Sequence, residues 1–140
     1  MTTELLERNH KGEWCPDKPV LLCQEGYYSD CSNQRKLVIY ISAPYSLGDT
    51  AENIRNACLA ANEILRKGHI PFIPQLSHLW HLITPKSKQE WLEIDLALIP
   101  RMDGLLRLPG ISQGADNEVK LAKELGIKVY YSLNEIKESI

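Results

Sequence analysis

The chain of 140 residues is long enough for one domain with a substantial buried core, and its 44% hydrophobic and 24% charged residues are ordinary for a globular protein. A net charge of −2 without basic runs gives no electrostatic case for binding nucleic acid or an anionic membrane. No apolar stretch approaches the roughly 20 residues of a spanning helix, and residues 1–11 are too polar for a secretory leader, so a cytoplasmic chain with reduced thiols is expected.

Residues 1–35 differ from the rest and read as an irregular, cysteine-containing N-terminal extension to a regular domain over 36–140. Cys15, Cys23 and Cys31 are spaced C-x7-C-x7-C, with His10 and His69 as conceivable fourth partners for zinc. The CxxC knuckle that makes a zinc site specific is absent, so partly buried thiols are the plainer reading and no metal is assigned. Val20, Leu21 and Leu22 suit an added edge strand or a segment packed over a sheet.

The regular pattern begins with residues 36–41, a β-branched run suited to a central parallel strand. A turn-rich loop over 42–48 follows. Asp49 and Glu52 then have capping-box spacing, opening a helix with Ile54, Ala57, Cys58, Ala61, Ile64 and Leu65 on its inner stripe and Gly68 at its end. Residues 70–74 form a short strand whose prolines place it near an edge. The segment 75–85 reads as a polar and aromatic loop; its His78, Trp80 and His81 suit a lid or a contact with a neighbouring subunit. Ser87 and Glu90 repeat the capping-box spacing before a helix to about Leu98, apolar nearly all round and therefore expected to be buried.

Residues 105–108 are an apolar run of strand length, ended by Pro109 and Gly110. A helical pattern follows, with Val119, Ala122 and Leu125 on one face and Gly126 as C-cap. Residues 127–131 form a further strand, and Ser132 with Glu135 begins a last helix to the C-terminus. Four βα units after an irregular head predict an α/β fold, a parallel sheet with helices on both faces and right-handed crossovers. Such sheets bind ligands at the carboxyl ends of their strands. If the first and third strands are neighbours, segments 42–48 and 109–114 wall one crevice, and Ser42, Ala43, Pro44, Ser112 and Gly114 become candidate substrate contacts. Ser112, Gly114 and the first helical amides lie at the positive end of a helix dipole, where a phosphate or carboxylate binds readily.

Two carboxylates stand out. Glu118 lies about one helical turn in, on the side of Ala122 and Leu125, and so points inward. Asp95 interrupts the apolar helix on an inward stripe and needs partners or a raised pKa. Dipole complementation by Glu118 and a structural bond from Asp95 to a loop or tyrosine hydroxyl are the plainer alternatives. Together, two carboxylates can flank an anomeric carbon and cleave a glycosidic bond. Near a helix N-terminus Glu118 should stay ionised, as a nucleophile must; Asp95, in apolar surroundings, should protonate more easily and act as the acid.

The order and spacing of Tyr40-Ile41-Ser42-Ala43-Pro44, Ile94-Asp95-Leu96, Asp103-Gly104-Leu105-Leu106 and residues 109–118, followed by Ala122 and Leu125-Gly126, resembles the nucleoside 2-deoxyribosyltransferase-like family over about residues 36–131. The resemblance implies a Rossmann-like (flavodoxin-like) fold, action on N-glycosidic bonds of nucleosides or nucleotides without a cofactor, and a homodimer or larger homo-oligomer. By motif position it implies Glu118 as the nucleophile of a covalent glycosyl-enzyme, Asp95 as the base-side aspartate and Tyr40 as the pocket tyrosine. Six residues before the glutamate, transferases using free nucleosides tend to carry a sugar-binding aspartate, whereas this chain has Ser112. A serine there resembles the nucleoside 5′-monophosphate hydrolase branch, and a hydroxyl with helix amides accepts a dianion that aspartate would repel. The expectation is therefore hydrolysis of a nucleotide, with deoxyribosyl transfer between bases or a silent nucleotide sensor as alternatives.

Overall fold

The computed structural model describes residues 35–139. Cys15, Cys23, Cys31, His10 and the apolar residues 20–22 lie outside the described residues.

Four parallel strands form one sheet in the order β2-β1-β3-β4: β1 Val38–Ser42, β2 Ile70–Phe72, β3 Gly104–Arg107 and β4 Lys128–Tyr130. The first and third strands are neighbours, as the crevice requires, and the proline-containing β2 lies at an edge, where a missing N–H costs no ladder bond. The crossovers run through α1 Thr50–Arg66, then α2 His78–Ile83 with α3 Lys88–Leu98, and finally α4 Gln113–Glu124. This is the α/β, Rossmann-like architecture expected from the alternating pattern.

Alternation along β1 sorts the core into two layers. Ile39, Ile41 and Ala43 face α1 and pack with Ala57, Ala60, Ala61 and Ile64, joined by Leu106 and Ile136. Tyr40 faces the other way with Leu105, Ile99 and Ala122. Each buried aliphatic side chain contributes about 1.5–3 kcal/mol of transfer free energy. The helix ends follow their local chemistry. Asp49 accepts the Glu52 N–H, Ser87 and Glu90 form a reciprocal capping box, and Gly68 and Gly126 take positive φ just past α1 and α4.

Four local expectations differ from the structure. On α1, Leu65 is exposed and Ala60 replaces it in the buried stripe, because Ala57, Ala60, Ala61 and Ile64 are the set that recurs at three to four residues. The segment after β2 is not an open loop: a 3-10 turn, Pro74–Ser77, leads directly into α2. Helix α3 buries none of its residues fully; it packs mainly on α4 and the adjoining 3-10 turn, with Trp91 against Trp80 and His81 of α2. The last helix is only a 3-10 turn, Leu133–Glu135, because Ile136 is drawn into the core in an extended conformation and the Ser139 N–H bonds the Lys67 carbonyl.

His69 is not free to bind metal. Its Nδ1 accepts the Leu37 N–H at 3.2 Å and its Nε2 donates to the Lys137 carbonyl at 2.7 Å, so the ring staples the C-terminal segment beside the start of β1. Among the described residues no three histidine, cysteine or acidic side chains converge as a metal site, and no helix is long and apolar enough to cross a membrane.

The turn after β3 is sterically closed. Gly110 has φ +118°, and a Cβ there would lie 2.7 Å from Pro44 Cγ. Gly126 also has positive φ but open space around it. Gly110→Ala is therefore expected to destabilise the fold by about 2–4 kcal/mol in urea unfolding, against about 1 kcal/mol for Gly126→Ala. Equal losses for the two substitutions would remove the role assigned to the Pro44 contact.

Candidate active site at the carboxyl edge of the sheet

The register of β1 and β3 builds the site floor. Tyr40 lies beside Leu105 and Ser42 beside Arg107, all on the face covered by α4. Helix α4 carries Glu118 over that floor. Tyr40 donates to Glu118 Oε1 at 3.1 Å, and Ser42 Oγ donates to Glu118 Oε2 at 2.6 Å. The Ala115 carbonyl, at 3.3 Å, is the second acceptor within reach of the Ser42 hydroxyl. Asp95 arrives from α3 and lies close enough for its carboxyl group and the Tyr40 phenol to influence each other's ionisation. Two carboxylates from separate helices thus approach one phenol.

Burial dominates the electrostatics. It pushes the Glu118 carboxyl up to about 7, helped by the neighbouring Asp95 charge and opposed by the Ser42 bond, the Tyr40 bond and the Arg107 charge. Burial also raises Asp95, against the bond from Tyr40, and raises the Tyr40 phenol far out of its titration range. The helix-dipole argument alone would leave Glu118 ionised at all ordinary pH; desolvation outweighs it, since the side chain sits a turn inside the helix rather than at its solvated end. Tyr40 has a single proton. It can therefore donate to only one carboxyl group at a time.

The other expected contacts are distributed less uniformly. Ser112 is the N-cap of α4: its Oγ accepts the Ala115 N–H at 3.2 Å, and its hydroxyl proton has no acceptor among the described residues. Gly114 lies in the first turn, where a Cβ would make ordinary van der Waals contact with Ser112 Oγ at 3.9 Å. Ser42 is fully buried and committed to Glu118 rather than open to a ligand. Ala43 faces α1, where with Pro44, Asn53, Leu59 and Leu108 it lines a separate cavity of about 410 Å³. Pro44 meets Gly110, and the Leu108 N–H bonds the Ser42 carbonyl at 2.9 Å, so the two walls touch at the base of the crevice.

Two residues went unnoticed in the sequence. Arg107 is 11% exposed at its side chain and donates to the Leu108 and Gly110 carbonyls and to Asp116. Its signal was an arginine inside an apolar strand, a placement that needs partners. Gln75 is buried where β2 has ended; its Nε2 faces the Ile41 and Ala43 carbonyls at 3.4 and 3.5 Å, and its Oε1 has no partner in the structure described. The aromatic residues form a seam. Trp91 Nε1 and the Lys86 N–H both donate to His81 Nδ1, Trp80 packs edge-on to Trp91 at 5.2 Å, and Tyr45 bonds His78 at 2.5 Å.

A carboxyl group raised in the fold stabilises it below its unfolded value near 4.5, and that contribution is lost as pH rises through about 7. Glu118→Gln should therefore gain stability relative to wild type between pH 4.5 and pH 8, by about 1–3 kcal/mol in denaturant titrations. A difference that does not change with pH would contradict the assigned burial cost.

The fold is also that of a solved 2-deoxyribosyltransferase from the psychrotolerant bacterium Bacillus psychrosaccharolyticus, with a TM-score of 0.51 and 22% identity over 66% of this chain and 69% of that one. Among curated proteins none matches. A family model described as a domain of unknown function (DUF7768) matches residues 37–132, which is more than half of the chain. With its parallel sheet and paired carboxylates, the chain belongs to that DUF7768 family.

Proposed function

We propose that the chain cleaves the N-glycosidic bond of a nucleoside 5′-monophosphate through a covalent glycosyl-Glu118 intermediate. The observation that carries this reading is the Tyr40 hydroxyl bond to Glu118 with the Asp95 carboxyl group nearby, next to the N-terminus of α4. Ionised Glu118 attacks C1′, the C1′–N bond breaks with its electron pair passing to the base, and Asp95 supplies the proton to the departing base. Water then attacks C1′, Glu118 leaves as carboxylate, and Asp95 recovers a proton from that water. Tyr40 and Ser42 hold the two Glu118 oxygens and favour the ionised form that attacks.

The preference for a phosphorylated substrate rests on the Ser112 hydroxyl and the Gln113 and Gly114 N–H groups that open α4, which lie at the positive end of the dipole. Transfer of the sugar to a second base is the other reading, favoured by the likeness to a 2-deoxyribosyltransferase described as a biocatalyst for nucleoside synthesis. We assign the activity to residues 36–140 without a cofactor, in a cytoplasmic chain. A homodimer or larger homo-oligomer would cover the open apolar flank of α2 and α3, where Leu79, Leu82, Ile83 and Leu96 are exposed.

Chromatography of nucleoside monophosphates incubated with the protein tests this. Wild type should release free base, and Glu118→Ala should lose on the order of a thousandfold or more in rate. Tight binding without base release would replace the enzyme with a nucleotide sensor. Ser112→Asp should cost phosphorylated substrates about tenfold more than free nucleosides, equivalent to about 1.4 kcal/mol. Equal losses for both classes would remove the phosphate preference.

A further inference from the structure

Arg107 has no part in the mechanism above, yet it occupies the strand position beside Ser42 on the floor of the site. Its guanidinium bonds carbonyls on both sides of the Pro109 turn, those of Leu108 and Gly110, and reaches Asp116 Oδ1 at 3.0 Å in the first turn of α4. Planarity lets one head group serve the three acceptors together, which a lysine ammonium on a flexible stem does poorly. Asp116 is largely exposed, so that pair alone contributes little to stability. The Arg107 side chain as a whole is only 11% exposed, and its charge also acts on Glu118.

We propose that Arg107 is a positioning residue of this site: it ties the turn after β3 to the first turn of α4, fixing the N–H groups that would receive the substrate's anionic end, and it sets a positive charge on the sheet face that Glu118 overlies. The inference rests on the reading of Glu118 as nucleophile and of the α4 N-terminus as anion seat. The guanidinium meets the carbonyls of the β3 turn and Asp116 of α4; Ser42 of β1 neighbours Arg107 in the strand register, and Glu118 of α4 feels its charge. Removing the charge leaves Asp116 without its ion pair and takes a positive charge from the surroundings of Glu118. It also frees a turn that Gly110 and Pro44 otherwise hold at van der Waals distance.

The test uses the full chain, with carboxyl-labelled glutamate followed by NMR titration and with amide hydrogen exchange. In Arg107→Met the Glu118 midpoint should rise by about half a pH unit or more, and amides of residues 111–115 should exchange about tenfold faster. In Arg107→Lys the charge remains but the fork is lost, so the midpoint should stay within about 0.2 units of wild type while exchange still quickens. A midpoint in the folded methionine variant equal to wild type would overturn the proposal, whatever the turn does, because a merely structural staple leaves the titration in place. Unchanged exchange in the lysine variant would overturn it too, and that variant serves if the methionine one fails to fold. Neither readout needs turnover. If Arg107→Met shifts the midpoint while Glu118→Ala still releases base, the nucleophile assignment falls and the tether stands.

Discussion

The site depends on one buried phenol with two carboxyl neighbours. Tyr40 is fully buried, stacked on Phe72 at a centroid distance of 5.7 Å, and its hydroxyl donates to Glu118 with Asp95 nearby. Burial raises both carboxyl groups, because two negative charges cannot share a low-dielectric place cheaply. Glu118, pushed up to about 7, is therefore a carboxylate only partly ionised near neutral pH.

The fold serves that cluster through alternation and register. Residues 39, 41 and 43 of β1 and its continuation build one core layer against α1, while residues 40 and 42 face α4 and become the site. The same side-chain period that makes a stable sheet therefore delivers a phenol and a hydroxyl to one carboxylate. The parallel neighbour β3 adds Arg107 at the level of Ser42, and its turn passes straight into the helix that carries Glu118. Stability and site geometry are linked because both walls of the crevice are tied at Leu108 and at the Pro44–Gly110 contact.

Much of this was legible in the sequence because it is local. The capping pairs at Asp49 and Ser87, the glycines after α1 and α4, and the β-branched run of β1 each follow from short-range chemistry, and the alternation of elements left few topologies open. Glu118 and Asp95 stood out as acids on otherwise apolar faces. Properties set by distant neighbours were not legible. The apolar composition of α3 did not reveal that none of its residues is fully buried, and Ser132 with Glu135 could not reveal that the core would claim Ile136. Arg107 was hidden inside an apolar strand, and the ionisation of Glu118 was misjudged because the dipole is visible in a sequence while the depth of burial is not.

The central claim is that Glu118 forms a bond to the sugar. Rapid acid quenching of the protein with a nucleoside monophosphate, followed by mass spectrometry of its peptides, measures this directly. The account predicts a sugar-phosphate mass added to the peptide containing Glu118 and absent from Glu118→Ala. Base release accompanied by an adduct on another residue, or by the same adduct in Glu118→Ala, would contradict it.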